Sequence, residues 1–236
     1  MQKEELGILR ILEGTPGFGI QITAVGLWLA LVFAAAAIAK QIASNPELVR
    51  KVVHIGTGNV ILLAWWLQVP AELGIAAAIA ASIVTLLSYW FPILPAIDSV
   101  GRKSLGTFFY AVSIGILVAA FWHLEQPQYA AIGILTMAWG DGLAALVGQN
   151  FGRHKYKILG NKKSWEGTTT MVAVSFVVCS SLLLATQGNC WQTWVSATLV
   201  AIAAASLETI SQLGIDNLTV PLASASLAFW FGLLSL

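Results

Sequence analysis

Asp141 stands between two glycines inside an apolar stretch that covers residues 129–147. An acidic side chain within a membrane helix is energetically costly, so it is by default a candidate functional residue. Five basic residues follow downstream, and the last two of them open the segment Lys-Lys-Ser-Trp-Glu-Gly at 162–167. An acid close to a basic, glycine-containing segment indicates a divalent metal and a phosphate, which makes this pairing the most informative feature of the chain.

Two acids are the predicted metal ligands, Asp141 and Asp216. Magnesium in proteins usually takes one or two carboxylates together with the phosphates of a substrate. Asp216 lies in the turn before the last apolar stretch, in a connection that contains no Lys or Arg. The alternatives are that a neighbouring lysine neutralises Asp141 and that Asp216 only caps a helix.

Basic residues at three places are the predicted nucleotide and phosphate ligands. Arg50 and Lys51 open the second apolar stretch, and residues three and four apart share a helix face, so either can point the same way as His54. Arginine can bind a phosphate through two donors. The alternatives are interfacial anchoring for the first pair and attraction to anionic lipids for the later basic run. The other predicted phosphate ligands are Arg102, Lys162, Lys163 and Ser164.

Three residues are predicted catalytic residues, as alternative acceptors of a substrate proton: Glu166, Glu208 and His54. Glu208 lies near the inner end of the seventh apolar stretch, and Glu166 lies in the first turn of a predicted helix that Ser164 can cap. The residues alone do not decide among the three. The chain contains neither a P-loop motif nor the signature set of protein kinases, so a nucleotide must bind by another route.

The composition predicts the elements that position these residues. The chain is 58% hydrophobic and only 10% charged, with a mean hydropathy of +0.80. Soluble domains carry roughly 25% charged residues, so this composition excludes an ordinary soluble domain. We therefore expect an all-α, polytopic membrane bundle that forms a single domain over 1–236, embedded in the lipid bilayer and without a nucleic-acid partner.

Eight stretches have the length and apolarity of a membrane-spanning helix, which needs about 20 residues. Lys and Arg occur in the first, third and fifth connections between them, and none occurs in the second, fourth and sixth. The positive-inside rule therefore places the odd connections in the cytoplasm or its organellar equivalent, and both termini on the opposite face. The predicted spans are 18–39, 52–69, 71–91, 105–122, 129–149, 168–185, 194–211 and 218–236.

Several short motifs, taken in order along the chain, resemble the polyprenol kinase family, which includes phytol, farnesol and dolichol kinases. The matching residues are Arg50-Lys51-x-x-His54, Gly140-Asp141 with Gly148 and Gly152, Lys162-Lys163-Ser164-x-Glu166-Gly167, Glu208, and the segment 216–221. Within the family, the short length and short loops look most like the phytol kinases of photosynthetic organisms.

This resemblance implies a CTP-dependent transfer of phosphate to a prenyl alcohol, phytol or geranylgeraniol, with Mg²⁺ as the cofactor. It also implies an integral multi-pass protein of the cell or thylakoid membrane in a photosynthetic organism. Two alternatives stay open. A CTP-dependent cytidylyltransferase shares the Gly-Asp and Lys-Ser-x-Glu-Gly segments, but its C-terminal Asp-Arg pair is missing here. A transporter of a small anion or lipid is less favoured, because no inverted repeat is visible.

Overall fold

The computed structural model describes residues 16–42, 45–91 and 105–234, and most of these residues are helical. Arg102 and the rest of its predicted loop lie outside the described residues. We number the elements in chain order. They are α1 (Phe18–Ile42), α2 (Pro46–Gly58), α3 (Val60–Trp66), α4 (Ala71–Trp90), α5 (Gly106–Trp122), α6 (Pro127–Leu135), a π-helical turn (Thr136–Asp141), α7 (Gly142–Phe151), β1 (Lys155–Ile158), β2 (Asn161–Ser164), α8 (Trp165–Gln187), α9 (Trp191–Ile210) and α10 (Asp216–Leu233).

The helices are those of a membrane protein. Within the described ranges, five helices are long and apolar enough to cross a membrane: α1, α4, the continuous helix from α6 to α7, α8 and α9. Helix α5 is apolar but shorter. The second predicted span is divided at Asn59 into α2 and α3. The helical membrane class is confirmed, whereas the number of eight spans and the side of the termini stay predictions.

The continuous helix Pro127–Phe151 is the centre of the bundle. Ala130, Ala131, Ile132 and Met137 have no exposed surface, and α5, α8 and α10 pack around this helix. Small residues allow the close approach: a Cβ on Gly133 would lie 2.4 Å from the Pro221 carbonyl oxygen. Close packing of this kind stabilises helix association in lipid, where burial of apolar surface supplies no driving force.

The central helix changes its hydrogen-bonding pattern immediately before Asp141, in the π-helical turn Thr136–Asp141. Such turns insert an extra residue and often occur at functional sites. The two glycines beside Asp141 lie where neighbouring helices approach closely. A Cβ on Gly140 would lie 2.7 Å from the Met171 sulfur, and one on Gly142 would lie 2.7 Å from Ile55.

The connection between α7 and α8 differs from the all-α prediction, because it contains a two-stranded antiparallel hairpin. Tyr156 pairs with Lys163, and Lys157 pairs with Lys162. The turn residues Leu159 and Gly160 have positive φ values of 46° and 85°. Two-residue hairpin turns of type I′ require a positive φ at both central residues. The polar, four-residue strands are too short to show a strand pattern in the sequence. We call this element the basic hairpin, residues 153–164.

Candidate active site

A cavity of about 980 Å³ opens where the chain connections meet at one end of the bundle. Its walls come from the N-terminal half of α2, the end of α4, the start of α5, the π turn with α7, the basic hairpin, and the α9–α10 connection. The cavity brings together eight of the predicted site residues: Arg50, Lys51, Asp141, Lys162, Lys163, Ser164, Glu208 and Asp216. Two further predicted residues, His54 and Glu166, do not line it.

Asp141 forms a buried ion pair with Lys51. The Lys51 ammonium contacts Asp141 Oδ2, and only 1% of this lysine is exposed. Its ammonium also lies 3.9 Å from Glu47 Oε1. A lysine therefore does neutralise Asp141, as the alternative interpretation of the sequence expected, and this lysine is Lys51. Separating such a pair is strongly unfavourable, because each charge would stay buried without compensation.

His54 lies behind this pair, away from the cavity. Its Nε2 is 3.8 Å from Asp141 Oδ2 and has no hydrogen-bond partner in the part of the chain that the structure describes. The imidazole packs on the Tyr110 ring, with 4.2 Å between the ring centroids. The Tyr110 hydroxyl donates to the His54 carbonyl at 3.4 Å. This position suits an interaction with Asp141 better than direct contact with a substrate.

Arg50 is held at the cavity wall by Glu47, a residue that the sequence reasoning missed. The Arg50 Nε and Nη2 atoms donate to the two carboxylate oxygens of Glu47, at 3.0 and 2.5 Å. Burial alone would raise the pKa of Glu47, but the hydrogen bond and charge of Arg50 outweigh it and lower the pKa. The spacing of three and four residues between Glu47 and the two bases was the available signal.

The basic hairpin is fixed to the bundle by two acids. The Lys163 ammonium contacts the Glu208 carboxylate and donates to the Glu208 carbonyl oxygen at 3.2 Å. Glu166 accepts from the His154 backbone N–H at 3.1 and 3.3 Å, and its carboxylate lies 2.7 Å from His154 Nδ1. Ser164 caps α8 by accepting from the Gly167 N–H at 3.2 Å. These residues position the hairpin, and their predicted catalytic and phosphate-binding roles stay predictions.

Asp216 differs from the other acids of the cavity. Glu47, Asp141 and Glu208 each contact a basic side chain, whereas Asp216 forms no ion pair with any described residue. Its Oδ1 accepts from the Asn217 amide at 3.2 Å, and its backbone N–H donates to Ser211 Oγ at 2.8 Å. Burial raises the pKa of Asp216, and the negative charge of Asp141 raises it further.

The residues present fit a magnesium ion that takes two carboxylates from the protein. Asp141 and Asp216 both line the cavity, and the negative charge of Asp141 raises the pKa of Asp216. The described part of the chain has no group of three or more His, Cys, Asp or Glu side chains that could hold a metal. A site of two carboxylates, completed by water and substrate phosphates, is the arrangement that magnesium commonly uses.

Comparisons with known proteins give consistent relatives. The phytol kinase of Synechocystis sp. is 54% identical over 213 residues, which cover 89% of this chain and 91% of that protein. Phytol kinase 1, chloroplastic, of Arabidopsis thaliana is 28% identical, over 89% of this chain and 75% of its own length. Farnesol kinase, chloroplastic, of the same plant is 30% identical, over 78% of this chain and 66% of its own length. No protein-family model and no solved structure matches the chain.

The pair of Lys51 and Asp141 predicts a stability effect that depends on both residues. Lys51→Met should destabilise the protein by about 3–5 kcal/mol, because it leaves the buried Asp141 charge uncompensated. Adding Asp141→Asn should restore a large part of that loss, since no charge then remains. Thermal unfolding in detergent measures both variants.

The matched control is Lys40→Met, because Lys40 is exposed at the end of α1. It should change stability by no more than about 0.5 kcal/mol. A double variant as unstable as Lys51→Met alone would show that the two charges do not compensate each other.

Proposed function

The chain belongs to the polyprenol kinase family of alcohol phosphotransferases, and on that basis we propose that it transfers the terminal phosphate of CTP to phytol or geranylgeraniol. The reaction takes place in the cavity at the cytoplasmic end of the bundle, with magnesium as the cofactor. The observation that carries this proposal is the meeting of two carboxylates and several cations in one cavity. CTP as the donor rests on the family resemblance of the sequence motifs.

The phosphates of the nucleotide bind between α2 and the basic hairpin. Arg50, Lys155 and Lys162 line the cavity, and neither of these two lysines forms an ion pair with a described residue. Lys162 also stands directly opposite Lys157 in the hairpin register. Like charges at such positions repel each other, so a bound polyphosphate would relieve the repulsion. Lys163 supports this site indirectly, because its ammonium is engaged by Glu208.

Asp141 and Asp216 would hold the magnesium ion, and Lys51, which is paired with Asp141, would lie near the phosphates. Magnesium would neutralise phosphate charge and fix the position of the terminal phosphate. Phosphoryl transfer depends mainly on positioning and on charge stabilisation, so a cavity with fixed charges is sufficient for it. His54 supports Asp141 from behind.

The chemical step is a substitution at the terminal phosphorus. The hydroxyl oxygen of the alcohol forms the new P–O bond, the bond to the bridging oxygen breaks, and CDP leaves. The hydroxyl proton passes to a carboxylate. Glu208 is the favoured acceptor, because it is the only one of the three predicted acceptors that lines the cavity. Glu166 and His54 act as positioning residues.

We place the protein in the cell or thylakoid membrane of a photosynthetic organism as an integral multi-pass protein with eight spans. The structure supports a shared face for the odd connections. The cavity collects residues from beside the first, third, fifth and seventh connections, at 47–51, 85–89, 141–149 and 208–217. Lys and Arg concentrate in the first, third and fifth of them, so this face is cytoplasmic and both termini lie on the other side.

Cysteine labelling tests this topology. In a background without Cys179 and Cys190, Lys157→Cys should react with an impermeant thiol reagent only from the cytoplasmic side. Leu124→Cys, in the fourth connection, is the matched control and should react only from the opposite side. Reaction of both cysteines from the same side would contradict the topology.

The product of the reaction tests the proposed function. Purified protein that is given CTP, magnesium and phytol should form phytyl monophosphate and CDP in equal amounts, and phosphorus NMR identifies both. ATP and UTP should be poorer donors. Release of pyrophosphate, with a phosphorylated lipid as the required acceptor, would instead establish the cytidylyltransferase alternative.

A further inference from the structure

Among the described residues, one wall of the cavity carries no charge. The residues that α4 contributes are Thr85, Ser88 and Tyr89, and the start of α5 contributes 105–108, which are Leu, Gly, Thr and Phe. The charged residues that the structure describes in the cavity come from α2, the π turn, the hairpin and the segment 208–217 that joins α9 to α10. The cavity therefore has a charged part and a separate part with aromatic, aliphatic and hydroxyl side chains. We call the second part the uncharged wall.

The uncharged wall extends from the membrane interface into the membrane. Tyr89 and Trp90 are exposed at the end of α4, where aromatic residues commonly mark the interface. Thr85 lies four residues earlier, roughly 6 Å deeper along the helix axis. Thr85, Ser88 and Tyr89 are three and four residues apart, so they form one face of α4. A ligand along this face would have one end at the interface and the other in the hydrocarbon.

As far as the structure describes the chain, the bundle is open beside this wall. Helix α4 packs on α5, but α2 and α4 do not pack along each other. The remaining surface of α4 faces lipid, since Ile79 and Ile83 are 56% and 54% exposed. A lipid molecule can therefore reach the cavity laterally, between α2 and α4, without crossing a packed interface between described elements.

The volume also allows two ligands. Pockets for one small molecule begin at about 300 Å³, so this cavity of about 980 Å³ exceeds the combined volume of two such small pockets. The cations occupy one part of it and suit a polyphosphate. The uncharged wall suits an apolar chain that ends in a hydroxyl group.

We propose that the uncharged wall, with Thr85, Tyr89, Thr107 and Phe108, binds the branched hydrocarbon chain of the alcohol substrate, which enters from the bilayer between α2 and α4. The hydroxyl group then lies beside Asp141, where the charged part begins. This inference rests on the proposed function and adds the place and the entry route of the alcohol.

A bulky residue at position 85 tests the inference. Thr85→Trp should raise the KM for phytol at least roughly tenfold, equivalent to about 1.4 kcal/mol of lost binding, which is the effect of excluding about two methylene groups. The KM for CTP should change less than about twofold, which corresponds to a change in binding free energy below about 0.5 kcal/mol. Geraniol, which has a much shorter chain, should be affected less than phytol, a selectivity that general misfolding would not produce.

Ile83→Trp is the matched control, because position 83 lies about 200° away around the same helix and faces lipid. It should keep both KM values. The inference fails if Thr85→Trp leaves the KM for phytol unchanged, or raises the KM for CTP and for both alcohols equally. An inactive wild-type protein would instead reject the proposed function itself.

Photolabelling provides a second readout that does not need turnover. A prenyl alcohol with a diazirine in its chain should label peptides of α4 and the start of α5 in the wild-type protein, and excess phytol should suppress the labelling. Thr85→Trp should reduce it, and Ile83→Trp should not. Specific labelling confined to α8 and α9 would overturn the assignment.

Discussion

The need to compensate one buried charge determines how the site is arranged. Asp141 lies on the most deeply buried helix of the bundle, and its carboxylate is paired with Lys51 of α2. Neither charge could stay in this position alone at an acceptable energetic cost. The pair therefore fixes α2 against the central helix, and with α2 it fixes Arg50 and Glu47 at the cavity wall. The π turn and the glycines beside Asp141 provide the space for this approach.

The same principle of paired charges divides the basic residues into two groups. Lys51 and Lys163 are held by Asp141 and Glu208, so they contribute to the architecture of the cavity. Lys155 and Lys162 point their charges at the cavity without an acid among the described residues. The first group keeps the second in place. A polyphosphate would therefore bind to cations that the paired residues already hold in position. This arrangement reduces the conformational entropy that is lost on binding.

The sequence predicted the positions of the helices better than the side-chain contacts between them. Apolar length was sufficient to locate the helices, because this signal is local. The break at Asn59 and the basic hairpin were missed, because each depends on a few polar residues without strong periodicity. Glu47 could have been found from its spacing to Arg50 and Lys51. The contact between Lys163 and Glu208 could not, since 45 residues separate them and only the packing of α8 on α9 brings them together.

Turnover of Asp141→Asn measures the central claim most directly, because asparagine keeps the size of the side chain and removes its charge. The rate of phytyl monophosphate formation at saturating CTP and magnesium should fall at least about a hundredfold, because loss of a group that only supports a metal ligand already costs about 10–100-fold. Glu72→Gln is the control: Glu72 is exposed in the first turn of α4, far along that helix from the cavity, and this variant should keep the wild-type rate. A folded Asp141→Asn protein whose rate is within about twofold of wild type would contradict the account. Such a rate corresponds to a difference in activation free energy below about 0.5 kcal/mol.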